Sequence, residues 1–167
     1  MKYNKIAKFE ITNGAGTGVS LFTQGCPFHC KGCFNPETWD FEIGELWTPE
    51  VEAHFMELLS PDYITRVTFL GGEPLIERNL PELLNLVKKI KETYPQKKIW
   101  FYSGNTYENM TKEQKEVLSY SDVLVDGPFK IELRDITLPF RGSTNQRIID
   151  IQKTLQKGDI ELYDRFS

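Results

Sequence analysis

The stretch from Arg66 to Ser103 limits the possible folds more than any other part of the chain. RVTFL at 66–70 and KIWFYS at 98–103 are short apolar runs of the kind that form buried strands. Between them Leu80, Leu83, Leu84, Val87 and Ile90 recur at helical spacing and make one apolar stripe. Asn79 can cap that helix, Glu82 stands three residues on as in a capping box, and Pro95 marks its end. Two strands joined through a helix lie parallel, with a right-handed crossover.

The alternation extends in both directions. KIAKFEI (5–11) and GVSLFTQ (18–24) read as strands. Thr48 and Pro49 open a helix whose face is Val51, Phe55, Leu58 and Leu59. A helix over about 111–118, a strand at DVLVD (122–126), a long loop and a strand at RIIDI (147–151) follow. This pattern predicts an α/β fold with a mostly parallel sheet. No repeat, low-complexity tract or linker divides the chain, so residues 1–167 read as one domain.

The net charge of −4 and pI near 5.3 weigh against a nucleic-acid binder and favour small molecules or another protein as partner. No apolar run approaches the roughly 18 residues of a membrane span. The basic start MKYNKIAKFE lacks the apolar segment of a secretory signal, so a cytoplasmic chain is expected. Thiols stay reduced there, and all three cysteines lie in GCPFHCKGCF (25–34). An odd, clustered set reads as metal ligands.

The unusual motifs converge on the predicted sheet. The cysteine loop follows the strand at 18–24, and GGEP (71–74) follows the one at 66–70. Ser103-Gly104 and Asp126-Gly127-Pro128-Phe129 end two more strands. The C-terminal edge of a parallel sheet is where α/β proteins build their sites. The spacing Cys26-x3-Cys30-x2-Cys33 allows two readings. One is structural zinc with His29 as fourth ligand, although adjacent side chains seldom face one small ion. The other is a four-iron cluster with three thiolate ligands and one iron left open.

The second arrangement resembles the radical S-adenosylmethionine superfamily, whose cysteine pattern and glycine-rich second motif match Cys26, Cys30, Cys33 and GGEP. The resemblance implies a partial (βα) barrel carrying a [4Fe-4S] cluster with S-adenosylmethionine on its open iron. Reductive cleavage of that cofactor yields methionine and a 5′-deoxyadenosyl radical, which abstracts hydrogen. FTQGCPFHCKGCFNPETWD (22–40), TFLGGEPL (68–75), WFYSGNTYE (100–108), DVLVDGPF (122–129) and RGSTNQRIID (141–150) are similar to one family within it. That family comprises the activating proteins of the anaerobic ribonucleoside-triphosphate reductase. It implies hydrogen abstraction from a glycine of the reductase large subunit, with flavodoxin or another low-potential donor supplying the electron.

The resemblance also assigns roles. Gly71 and Gly72 would lie against the methionine end of the cofactor, Glu73 or its carbonyl would accept from its ammonium, and Ser103 could bond it or merely end its strand. Asp126 would serve the ribose hydroxyls or a cation, or cap the following turn. Gly32 stands where the superfamily often has an aromatic whose backbone meets adenine, and the aromatic here is Phe34. Arg141 and Arg147 are solvated charges unless RGSTNQR faces the partner. His29 is a neighbouring or surface residue and His54 an ordinary helix side chain; Trp47 and Trp100 pack, as does Trp39 unless its nearness to the cluster loop gives it a part in recognition. A small-molecule enzyme of the same superfamily, such as a 7-deazaguanine-forming synthase, or a zinc-binding interaction module are the rival readings.

Overall fold

The computed structural model describes residues 1–163; residues 164–167 of the expected domain lie outside the described residues. Seven strands are present: β1 (Lys2–Glu10), β2 (Gly18–Thr23), β3 (Glu45–Leu46), β4 (Arg66–Gly71), β5 (Lys98–Tyr102), β6 (Val123–Asp126) and β7 (Arg147–Asp150). The helices are α1 (Pro49–Leu58), α2 (Leu80–Thr93), α3 (Lys112–Leu118) and α4 (Ile151–Lys157). All strands join one sheet in the order β3-β1-β2-β4-β5-β6-β7. The central four run parallel, so their C-terminal ends share one edge.

The α/β class and the parallel centre agree with the sequence. The sheet is open, ending at β3 and β7, and does not close into a barrel. Its flanks are antiparallel: β1 pairs with β2, and β7 with β6. The seven residues between β1 and β2 (11–17) are too few for a crossover, which needs a dozen or more. Thr48 caps α1 as its position suggests, and Thr111, the first residue of the helix expected over about 111–118, caps α3 instead. Asn79 does not cap α2. It sits in a short 3-10 turn, and its amide donates to the Pro74 carbonyl instead, at 3.0 Å.

Alternate strand residues face opposite sides, and the two sides differ in kind. One side carries Val19, Leu21, Val67, Phe69, Ile99, Phe101, Leu124 and Ile149, all buried against residues of α1, α2 and α3. Leu83, Leu86, Val87 and Ile90 of α2 are buried there, each contributing about 1.5–3 kcal/mol. The other side carries Ser20, Phe22, Arg66, Thr68, Leu70, Trp100 and Tyr102. Its apolar cluster, Trp100, Val123, Val125 and Ile148, contains no helix residue.

Arg66 is fully buried on this second side. Its guanidinium donates to the Glu10 carboxylate at 2.7 Å, to Thr68 Oγ1 at 2.5 Å and to the Ala15 carbonyl at 3.1 Å. A Cβ at Gly14 or Gly18 would come within 2.5 Å of the Arg66 side chain, so the loop NGAGTG wraps it closely only because those positions are glycine. Among the described residues no helix is long and apolar enough to cross a membrane.

Candidate active site

The cysteine loop leaves β2 and is pinched at its base. Gly25 N donates to Thr38 O at 2.7 Å and Cys26 N to Trp39 O at 3.1 Å. Gln24, fully buried, donates through Nε2 to the carbonyls of Glu37 and Asp40. Arg78 bonds the carbonyls of Gln24 and Phe41. The GGEP turn packs directly behind this neck: Gly72 N donates to Thr23 O and Glu73 N to Gly25 O, each at 2.9 Å. A Cβ on Gly72 would meet the Gly25 carbonyl at 2.5 Å, and one on Gly71 would strike the Phe22 backbone. Both glycines are therefore required to seat one turn against the other.

These turns enclose a cavity of about 140 Å³ lined by Cys26, Cys30, Cys33, Gly71, Gly72, Glu73, Ser103 and Gly104, among others. The structure thus brings together seven of the nine candidate positions: the three cysteines, both glycines, Glu73 and Ser103. Burial pushes the Cys26 and Cys30 thiols up, while the N–H groups of Phe28 and His29 at Cys26, and of Phe129 at Cys30, pull the other way. Asn35 N donates to Cys33 Sγ at 3.4 Å. Three thiols, each approached by backbone N–H donors, suit a cluster whose sulfurs are held and tuned by hydrogen bonds.

Glu73 is buried and its carboxyl is pushed up to about 7 by that burial, against bonds from Gly104 N, Leu75 N and Ser103 Oγ. The Ser103 hydroxyl donates to Glu73 at 3.0 Å and accepts from Asn105 N at 3.0 Å. In this structure Glu73 and Ser103 bond each other and tie the end of β4 to that of β5.

Asp126 and Gly32 stand elsewhere. Asp126 is fully buried and does not line the cavity. Both of its oxygens accept from Arg147, and Oδ2 also accepts from Tyr107 N. The two residues are direct partners across β6 and β7, so in this structure the acid clamps the sheet edge. Gly32 (φ +77°) packs under Ile131, whose Cδ1 would lie 2.6 Å from an added Cβ. Arg147 is consequently an ion-paired residue, not a free charge. The His29 ring stacks on Trp39 at 4.6 Å and is absent from the cavity lining, which leaves the zinc reading without its fourth ligand.

Sequence reasoning missed Gln24, Arg78, Asn35, Tyr102, Phe129 and Gln146, the first two holding the neck and the others lining the cavity. Gln24 carried a local signal as a polar residue ending an otherwise apolar strand just before GCP, and Phe129 stood in the strand-end motif Asp126-Gly127-Pro128-Phe129 without a role assigned to it.

Comparison with known proteins agrees with this geometry. The family described as a 4Fe-4S single cluster domain matches residues 12–149. The anaerobic ribonucleoside-triphosphate reductase-activating protein of Vibrio cholerae is 39% identical over 150 residues, covering 89% of this chain and 97% of the relative. Its counterpart from Enterobacteria phage T4 is 38% identical over 148 residues, covering 89% and 93%. That of Escherichia coli K12 is 36% identical over 148 residues, covering 87% and 96%. With three thiols in one loop at the parallel edge and such similarity along nearly its whole length, the chain belongs to the family of anaerobic ribonucleoside-triphosphate reductase-activating proteins.

Proposed function

We propose that this protein is a radical S-adenosylmethionine activase, which removes one hydrogen atom from a glycine Cα of the anaerobic ribonucleoside-triphosphate reductase large subunit. The observation that carries the proposal is the shared cavity, where three cysteines, the Gly71-Gly72-Glu73 turn and Ser103-Gly104 meet at the ends of β2, β4 and β5. Cys26, Cys30 and Cys33 would hold a [4Fe-4S] cluster, leaving one iron without a protein ligand. When bound, cluster and S-adenosylmethionine together supply one-electron cleavage of the sulfonium, giving methionine, 5′-deoxyadenosine and a glycyl radical on the partner.

The chain's own residues supply position and environment. The neck bonds from Gln24 and Arg78 fix the cysteine loop against the sheet. The Glu73–Ser103 bond holds the ends of β4 and β5 at a set separation. Backbone carbonyls of the Gly71-Gly72-Glu73 turn are suited to accept from an ammonium group. Aromatic residues Phe28 and Phe129 line the same cavity and give it apolar walls. All the cysteines lie in this one loop, so the electron comes from an external low-potential donor such as flavodoxin.

Anaerobic reconstitution, reduction and mixing with the reductase subunit tests the reading. It should give 5′-deoxyadenosine together with a glycyl doublet by electron paramagnetic resonance. A colourless protein with one zinc and no sulfide would overturn the cluster assignment. Cleavage without the doublet would overturn the substrate assignment alone.

A further inference from the structure

The cysteine cavity adjoins a larger one of about 510 Å³ on the side of the sheet opposite α1, α2 and α3. Five residues line both: Asn35, Leu70, Tyr102, Phe129 and Gln146. Three of these carry polar side-chain atoms, and they are not equally engaged. Gln146 accepts through Oε1 from Gly142 N and Ser143 N and donates through Nε2 to Gly127 O. Asn35 uses its backbone N–H on Cys33 and its carbonyl on Thr38, but its side-chain amide caps nothing and bonds no described residue. The Tyr102 hydroxyl likewise bonds no described residue.

Tyr102 ends β5 in one row with Phe22 and Leu70, and these three are the strand residues that line the larger cavity. Its hydroxyl is thus the polar group the sheet itself offers there. Burial holds the phenol above its ordinary pKa, so it stays protonated and available as a donor at neutral pH. The charged residues of the larger cavity, Asp135 and Arg141, offset each other and give no net charge to favour a phosphate.

A free carboxamide and a free phenol at an apolar junction match a ligand with uncharged, paired N–H and C=O groups. A carboxamide can donate to and accept from one peptide unit at once, and a phenol adds a donor for its carbonyl. We propose that Asn35 and Tyr102 are positioning residues that bond the peptide unit beside the reacting carbon of the protein substrate. They hold that carbon where the two cavities meet. The inference rests on the activase reading above and adds the groups that orient its substrate.

The test uses the reductase large subunit with α-deuterated glycine and the reconstituted activase as wild type, Asn35→Ala, Tyr102→Phe and the double variant. All are first matched for iron content. The quantity read is deuterium in 5′-deoxyadenosine, and glycyl doublet, per 5′-deoxyadenosine formed, with KM for the reductase beside kcat. Each single variant should lower that ratio roughly tenfold and raise KM, as loss of one hydrogen bond in an apolar site does. Ratios equal to wild type in both variants would overturn the pair and leave the activase reading standing. A slower cleavage with an unchanged ratio would assign both residues to the cofactor and overturn the proposal. A wild type that cleaves S-adenosylmethionine but transfers no deuterium would overturn the activase reading and this inference together.

Discussion

The two sides of the sheet use the same strands for opposite ends. On one side Phe69 stacks on Phe101 at 4.8 Å and packs on to Phe55, with α1, α2 and α3 sealing the layer. On the other, a buried arginine is satisfied by Glu10, Thr68 and loop carbonyls, and above it the sheet opens into two cavities. Period-two alternation lets one strand serve both. The apolar side gives stability by area, which tolerates substitution in small steps. The polar side depends on complete hydrogen bonding, where one missing partner leaves a buried charge.

The largest test of this division concerns the site. Cys30→Ala should lower iron and sulfide retained after reconstitution at least about 100-fold. Its unfolding midpoint should move little, because the thiol belongs to a half-exposed loop and not to either core. Full iron content in that variant would break the assignment. Next comes the apolar side: Phe69→Ala should cost about 3–5 kcal/mol in denaturant titrations. The folded fraction should still take up its normal iron, and a selective loss of iron instead would show that the sides are not separable.

Glu10→Gln probes the polar side and should cost about 3 kcal/mol, since it leaves Arg66 buried without its counter-ion. Burial raises the Glu10 carboxyl, but bonds from Arg66, Ser20 and Asn13 outweigh it and the net shift is downward from 4.5. A depressed carboxylate contributes stability above its unfolded value and loses it as pH falls through the folded one. The gap between wild type and variant should therefore be full at neutral pH and shrink below about 4.5, read from paired thermal melts. A gap independent of pH would mean that the ion pair is not its source. Smallest is Thr111→Ala, which removes the cap of α3 and should cost about 1 kcal/mol with no change in iron content.

How much of this was readable beforehand varies with distance along the chain. The cap at Thr48 was legible because the hydroxyl and its N–H partner lie three residues apart. Asn79 satisfies the same local rule, yet the Pro74 carbonyl in the turn before it claims the amide. Strand positions followed from apolar runs, but such runs say nothing of direction, so the antiparallel flanks emerged only with the structure. The cysteine spacing and GGEP exposed the site because each is a local pattern. The Asp126–Arg147 pair gave no local signal, because Arg147 lies 21 residues on and meets Asp126 only through the register of β6 and β7. Tyr102 gave no signal, as an aromatic at the end of a strand usually means packing.

The loop beyond β6 closes over the cysteines from the far end of the chain. Ile131 covers Gly32, Gly142 fits against Phe34 and Phe129, and Phe129 offers its N–H to Cys30. Every thiol is therefore encoded within eight residues, while the roof above them is encoded about a hundred residues later. During synthesis the ligands emerge well before Phe129, Ile131 and Gly142, the residues that pack against their loop. A peptide of residues 22–40 would keep the full ligand set and lose the surroundings that shield it, so the motif cannot be lifted out of this chain with its chemistry intact.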